Sequence, residues 1–111
     1  MKDLGKAFDE AMFSIHRRAR SELGYKASAF LGMLYARGGI ETARQLINAT
    51  RPSEGYTRLW EFGRLDLTVE ATIVDDERWH PLFRAEEIER ARKRLREYHY
   101  RATSNATGTN A

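Results

Sequence analysis

The chain has 111 residues, with 19 Lys and Arg against 16 Asp and Glu, a formal net charge of +3, and no cysteine. That length fits one domain, taken as residues 1–100, and the missing thiols exclude disulfides, thiolate nucleophiles and thiolate metal sites. With 41% hydrophobic residues, a chain of this size buries roughly two-thirds of its unfolded surface, so packing alone must hold it.

The first predicted element runs from Asp3 to Leu23. Leu4, Phe8, Met12, Ile15, Ala19 and Leu23 recur every three or four residues and form one helical stripe. Asp3 is the expected N-cap and Gly24 the expected C-terminal stop. A second helix spans Lys26 to Ala36, with Ala27, Phe30, Leu31, Leu34 and Tyr35 facing inward. It ends at Gly38-Gly39, a pair too costly in backbone entropy for a helix interior. The period restarts from Ile40 to Ala49 through Ile40, Ala43, Leu46 and Ile47, and Glu41 suits the positive end of that helix.

Thr50-Arg51-Pro52-Ser53 breaks the chain. Ser53 is an N-cap for a short helix ending at Gly63, with Tyr56, Leu59 and Trp60 as its buried edge. Leu65 to Thr68 is a tight connection, and Thr68 caps a further helix over Val69 to Asp76. Leu65, Leu67 and Val69 also alternate like a strand, but a lone strand has no partner in the chain, which favours the helix. Trp79-His80-Pro81-Leu82-Phe83 is a bulky loop packing across the core. Ala85 to Tyr98 is a strong helix, with acids in its first turn, arginines toward its end and Ile88, Ala91, Leu95 and Tyr98 inward. Residues 101–111 lack any apolar period and read as a disordered tail. The predicted fold class is therefore all-α, a compact bundle of five to six helices.

No apolar run approaches the ~20 residues of a membrane span, so no membrane partner is expected. The charged N-terminus does not resemble a signal-peptide core, and the default location is cytoplasmic. The sequons at Asn48 and Asn105 read as chance in that setting.

Residues 25–97 resemble a family of small uncharacterised bacterial helical proteins. The resemblance rests on Pro52-Ser53-x-Gly55-Tyr56-x-x-Leu59-Trp60, on Gly63-Arg64-Leu65-Asp66-Leu67-Thr68-Val69-Glu70, and on Trp79-x-Pro81-Leu82-Phe83 with a closing basic helix. It implies a stand-alone helical protein or accessory module and supplies no catalytic residues. Position 84 is Ser or Thr in that pattern, an N-cap reaching toward Glu87. Arg84 removes that cap here.

Two charged groups stand out. Arg64, Asp66 and Glu70, near Arg58 and Glu61, read as a structural ion-pair cluster in which Arg64 grips Asp66 or Glu70 and fixes a helix junction. Arg17, Arg18 and Arg20 on the first helix, with Arg90, Arg92, Lys93, Arg94 and Arg96 on the last, would merge into one phosphate-binding face if those helices pack side by side. Tyr98 and Tyr100 would then stack on bases. Against that face, Glu86, Glu89 and Glu97 dilute its charge.

A helix-turn-helix over residues 40–62 is disfavoured by the long, glycine-free break at Thr50 to Pro52. His16, His80 and His99 lack metal-ligand spacing, the serines lack a nucleophile elbow, and Gly38-Gly39 lacks the lysine and hydroxyl of a phosphate loop. No catalytic, cofactor or metal residues are therefore expected. The sequence points to a non-catalytic binding module. Its partner is left open between nucleic acid and another protein, with self-association through the long first helix as a third arrangement. Trp60 and Trp79 are expected as core plates, and an exposed one would be an interface anchor.

Overall fold

In a computed structural model, described here over residues 3–101, Asp3 opens the first helix. Its carboxylate accepts the amides of Gly5 and Lys6, starting α1 (Leu4–Leu23), which buries Phe8, Met12, Ile15 and Ala19. Gly24 ends the helix at φ 68°, a left-handed value that costs a glycine nothing. Then come α2 (Ser28–Arg37), α3 (Gly39–Asn48), α4 (Glu54–Glu61), α5 (Val69–Asp75) and α6 (Ala85–Glu97). Short 3-10 turns cover Leu65–Leu67 and Glu77–Leu82. Among the described residues there is no strand, and the all-α reading of the sequence holds. Of the expected tail, residues 101–111, all but Arg101 lie outside the described residues.

The expected caps form. Ser53 Oγ accepts the Tyr56 amide at 3.1 Å, and Thr68 Oγ1 accepts that of Ala71 at 3.1 Å. Arg84 has no side-chain acceptor to offer α6, yet the returning half of a capping box survives, because Glu87 Oε1 takes the Arg84 amide at 3.0 Å. At the other end, His99 adopts φ 62° and the amides of His99 and Tyr100 bond back to Arg96 and Leu95, closing a Schellman motif without glycine.

α3 starts one residue earlier than its sequence period suggests. Gly39 is its first residue because Asp9, from α1, takes the Gly39 amide at 2.7 Å and acts as a cap from a distant element. The approach is close: a Cβ on Gly39 would lie 2.6 Å from Asp9 Oδ1 and 3.3 Å from Asp9 Cα.

α3 packs on α1 and α2 on one side and on α5 and α6 on the other. The main core gathers Phe8, Met12, Ala43, Ile47, Ile73 and Trp79 around it. The ring of Phe8 meets Trp79 and Phe83 edge-on at centroid distances of 5.2 and 5.4 Å. The 79–83 segment thus crosses the core as expected, wound as a 3-10 turn rather than a loop. Truncating Phe8 to alanine would cost about 3–5 kcal/mol.

Two inward assignments are corrected. Trp79 is a core plate at 2% exposure, but Trp60 is 46% exposed. α4 has only two turns, whose core-facing positions Tyr56 and Leu59 already fill, so Trp60 leans on the edge of Tyr98 at 5.5 Å. Tyr35, expected inside, is 76% exposed. α2 buries only Leu34, because its main packing partners, α1 and α3, cover one side of it.

Candidate functional site

The two arginine-bearing helices, α1 and α6, are not among the helix pairs in extensive contact. The apolar line of α6, Ile88, Ala91 and Leu95, is taken mainly by α5 and then by α3, while α1 packs on α2 and α3. The side-by-side packing of α1 and α6 on which a merged face was conditional is thus not a main contact of the fold.

On α6 the cations are largely occupied. Arg94 Nη1 donates to Glu70 Oε2 at 3.0 Å and to the Leu46 carbonyl at 3.1 Å, and Nη2 donates to the Ala49 carbonyl at 2.7 Å. One guanidinium thus neutralises a buried acid and satisfies carbonyls at the end of α3. Arg92 and Arg96 share Glu89, and Arg90 donates to Asn48 Oδ1. Arg90 and Lys93 are the exposed α6 cations without an ion pair among the described residues. Tyr98 is sandwiched edge-on against Tyr56 and Trp60, and Tyr100 donates to Asp75. Both rings are committed to packing.

The junction cluster is split. Arg64 holds Asp66 through two bonds of 2.9 and 3.1 Å, and its second carboxylate is Glu22 of α1 at 2.8 Å. Glu70 belongs elsewhere, to Arg94. Burial pushes the Glu70 carboxyl above the usual range, with its own backbone amide and Arg94 opposing that push. Glu87 shows the reverse balance. Burial would raise it, but the Arg84 amide, Asn48 and Arg44 outweigh burial and hold it below the usual range. Arg58 pairs with Glu61 on the surface.

Two features remain on the α1–α2 side. The first is the outer face of that helical hairpin. Four residues, Gly24 to Ala27, join the helices, so they run as antiparallel neighbours. Phe13 of α1 meets Tyr35 of α2 at 5.4 Å. One turn further along α1 comes Arg17, and one turn back along α2 comes Leu31; Arg20 and Ser28 follow. From Ser28 to Ala36 there is no charged side chain. Arg17 and Arg20 are exposed without ion pairs among the described residues, whereas Arg18 is held by Glu22 at 2.9 Å.

The second feature is a half-open cleft of about 130 Å³ on the inner side of α2. Ile15, Phe30, Met33, Leu59 and Val69 supply its apolar wall, and His16 lies at its edge. His16 Nδ1 is buried without a hydrogen-bond partner. Burial, then Arg20 and Arg17, depress the proton affinity of the ring, which favours neutral imidazole. In the sequence His16 stands out as a possible metal ligand and as the first residue of the basic run His16 to Arg20. Its place in the cleft follows from the tertiary fold and had no signal in the sequence.

Among the described residues no group of three or more His, Asp or Glu side chains is placed to hold a metal, and no helix is long and apolar enough to cross a membrane. No protein family, curated protein or solved structure matches the chain.

Proposed function

We propose that the chain is a non-catalytic protein-binding module that docks the apolar, acid-bearing face of a partner helix on the outer side of the α1–α2 hairpin. The observation that carries this reading is Tyr35, 76% exposed on a helix that bears no charge from Ser28 to Ala36. A large aromatic left in water beside Leu31 and Phe13 is the kind of anchor that dominates protein interfaces. Arg17 and Arg20 extend the strip with two cations lacking internal partners, which complements acidic residues along the partner. The nucleic-acid reading receives less support, because Arg94 is spent on buried Glu70, and Arg92 and Arg96 both lean on Glu89.

The test places the photo-crosslinker p-benzoylphenylalanine at position 35 in cells and, as a control, at position 92. The expected result is one protein adduct at 35, mapped to a segment mixing leucines with acids, lost with Arg17→Glu and Arg20→Glu and absent at 92. In parallel, labelled single-stranded and duplex oligonucleotides are titrated by fluorescence anisotropy. Tight binding that collapses with added salt and is abolished by those charge reversals would overturn the reading in favour of nucleic acid. An adduct consisting only of two copies of this chain would overturn it in favour of self-association.

A further inference from the structure

Of the six helices α2 buries the fewest residues, Leu34 alone. Its own ends do little to hold it. Ala27 offers no side-chain cap, the first turn carries no acid, and Gly32 sits in the middle. A helix of ten residues is too short to persist in water unaided, and an interior glycine weakens it further. Its stability therefore comes from tertiary contacts, and those contacts are apolar. From residue 26 to residue 38 no side chain makes a hydrogen bond or an ion pair among the described residues. Phe30 and Met33, both half-buried, border the half-open cleft of about 130 Å³.

The chain is pinned on either side of this segment. The Tyr25 amide donates to the Ala19 carbonyl at 3.2 Å, and its ring lies 6.4 Å from that of Phe62. The Gly39 amide donates to Asp9 Oδ1 at 2.7 Å. Between α2 and that second pin stands Gly38, at φ 83° and ψ 170°, a state that glycine adopts freely and other residues do not. The core left behind needs little from α2. Phe8, Met12, Ala43, Ile47, Ile73 and Trp79 all come from other elements, and Leu34 is the α2 residue buried among them.

We infer that residues 26–38 form a lid: α2 moves away as one unit between the pins at Tyr25 and Gly39, while the other five helices stay folded, and uncovers the cleft wall at Ile15 and Val69. An opening of this kind costs less than global unfolding, because few buried apolar contacts are given up. The inference goes beyond the docking reading and does not rest on it, since it concerns the free chain.

Native-state hydrogen exchange of the purified chain, followed by NMR at rising urea below the unfolding transition, tests it. The Met33, Leu34 and Tyr35 amides are expected to share one opening free energy, with protection about 100-fold or more below that of Ile73 and a smaller but measurable urea dependence. Leu95 belongs to a cluster that holds no α2 residue. Leu95→Ala should therefore lower the protection of Ile73 by roughly 30-fold or more and leave that of Leu34 unchanged, because the open state keeps that cluster. The absence of cysteine allows a second readout. A thiol introduced by Val69→Cys should react with an aryl disulfide reagent about tenfold or more faster than one introduced by Ile73→Cys, which waits for global unfolding. The inference is overturned if the α2 amides share the protection of Ile73, or fray one by one without urea dependence. It is equally overturned if Leu95→Ala shifts both sets alike, or if both thiols react at one rate. Where a variant fails to fold, exchange in the native chain decides the question alone.

Discussion

Replacing Arg94 by methionine isolates the costliest polar arrangement in the fold. Its side chain is 12% exposed and that of Glu70 is 4% exposed, with 3.0 Å between them. At that separation an effective dielectric near 20 gives an attraction of about 5.5 kcal/mol. Desolvating the two ions costs several kcal/mol each, so the intact pair contributes little net stability. Removing only the cation is different, because Glu70 then stays buried and uncompensated and the Leu46 and Ala49 carbonyls lose their donor. The expected loss is about 3–5 kcal/mol, a large share of the roughly 5–15 kcal/mol that holds an ordinary domain together. Urea unfolding followed by circular dichroism measures it. Because burial already raises the Glu70 carboxyl, losing Arg94 raises it further, and the folded state then binds the proton more tightly than the unfolded one. The variant is thus most stable relative to the parent below the unfolded carboxyl range, and loses that ground as pH rises through the folded value. Pairing Glu70→Leu with Arg94→Met removes both charges and should restore about 2–3 kcal/mol at neutral pH. A single variant losing under about 1 kcal/mol, or a double variant no better than the single, refutes the argument.

Thr42 is fully buried with its hydroxyl unpaired, so Thr42→Val should raise unfolding free energy by about 1 kcal/mol, and a decrease would contradict the orphaned-hydroxyl reading. Gly39→Ala gains helix propensity but drives a methyl to 2.6 Å from Asp9 Oδ1, so a net loss of about 1–2 kcal/mol is expected by thermal or chemical denaturation. A more stable Gly39→Ala protein would show that α1 and α3 can part without penalty. His99 closes α6 at φ 62°, where a side chain is strained, so His99→Gly should stabilise by about 0.5–1 kcal/mol, and an unchanged midpoint would refute the strain.

Local chemistry was legible in the sequence wherever one turn of chain decided the outcome. Asp3, Ser53 and Thr68 cap the helices they precede, and the apolar stripe of α1 is the one the core uses. The 3.6-residue period identified helices because it records which face is buried, but it does not say by what. That is why α1 and α6 read as neighbours when α3 lies against both. Glu70 and Arg94 are 24 positions apart, and no local rule links them. The Arg64-Asp66 pair was visible because both residues sit on one tight connection, while Glu22 as the third member was not. Trp60 and Tyr35 were misjudged for a common reason: apolar character was taken to imply burial, although α4 and α2 are each covered on one side only.

That last error bears on function. An amphipathic helix explains its own apolar residues through the core, as α1 and α6 do. α2 cannot, because it is apolar around its circumference and buries a single residue, Leu34. A helix of that composition is expected to be wrapped on all sides. Inside, it borders a half-open cleft, and outside, it leaves Tyr35 in water beside a half-buried Leu31 and two arginines without ion pairs among the described residues. Fold stability gains little from either arrangement. The outer arrangement becomes intelligible under the proposed docking, in which a partner helix covers the face of α2 that the fold leaves open.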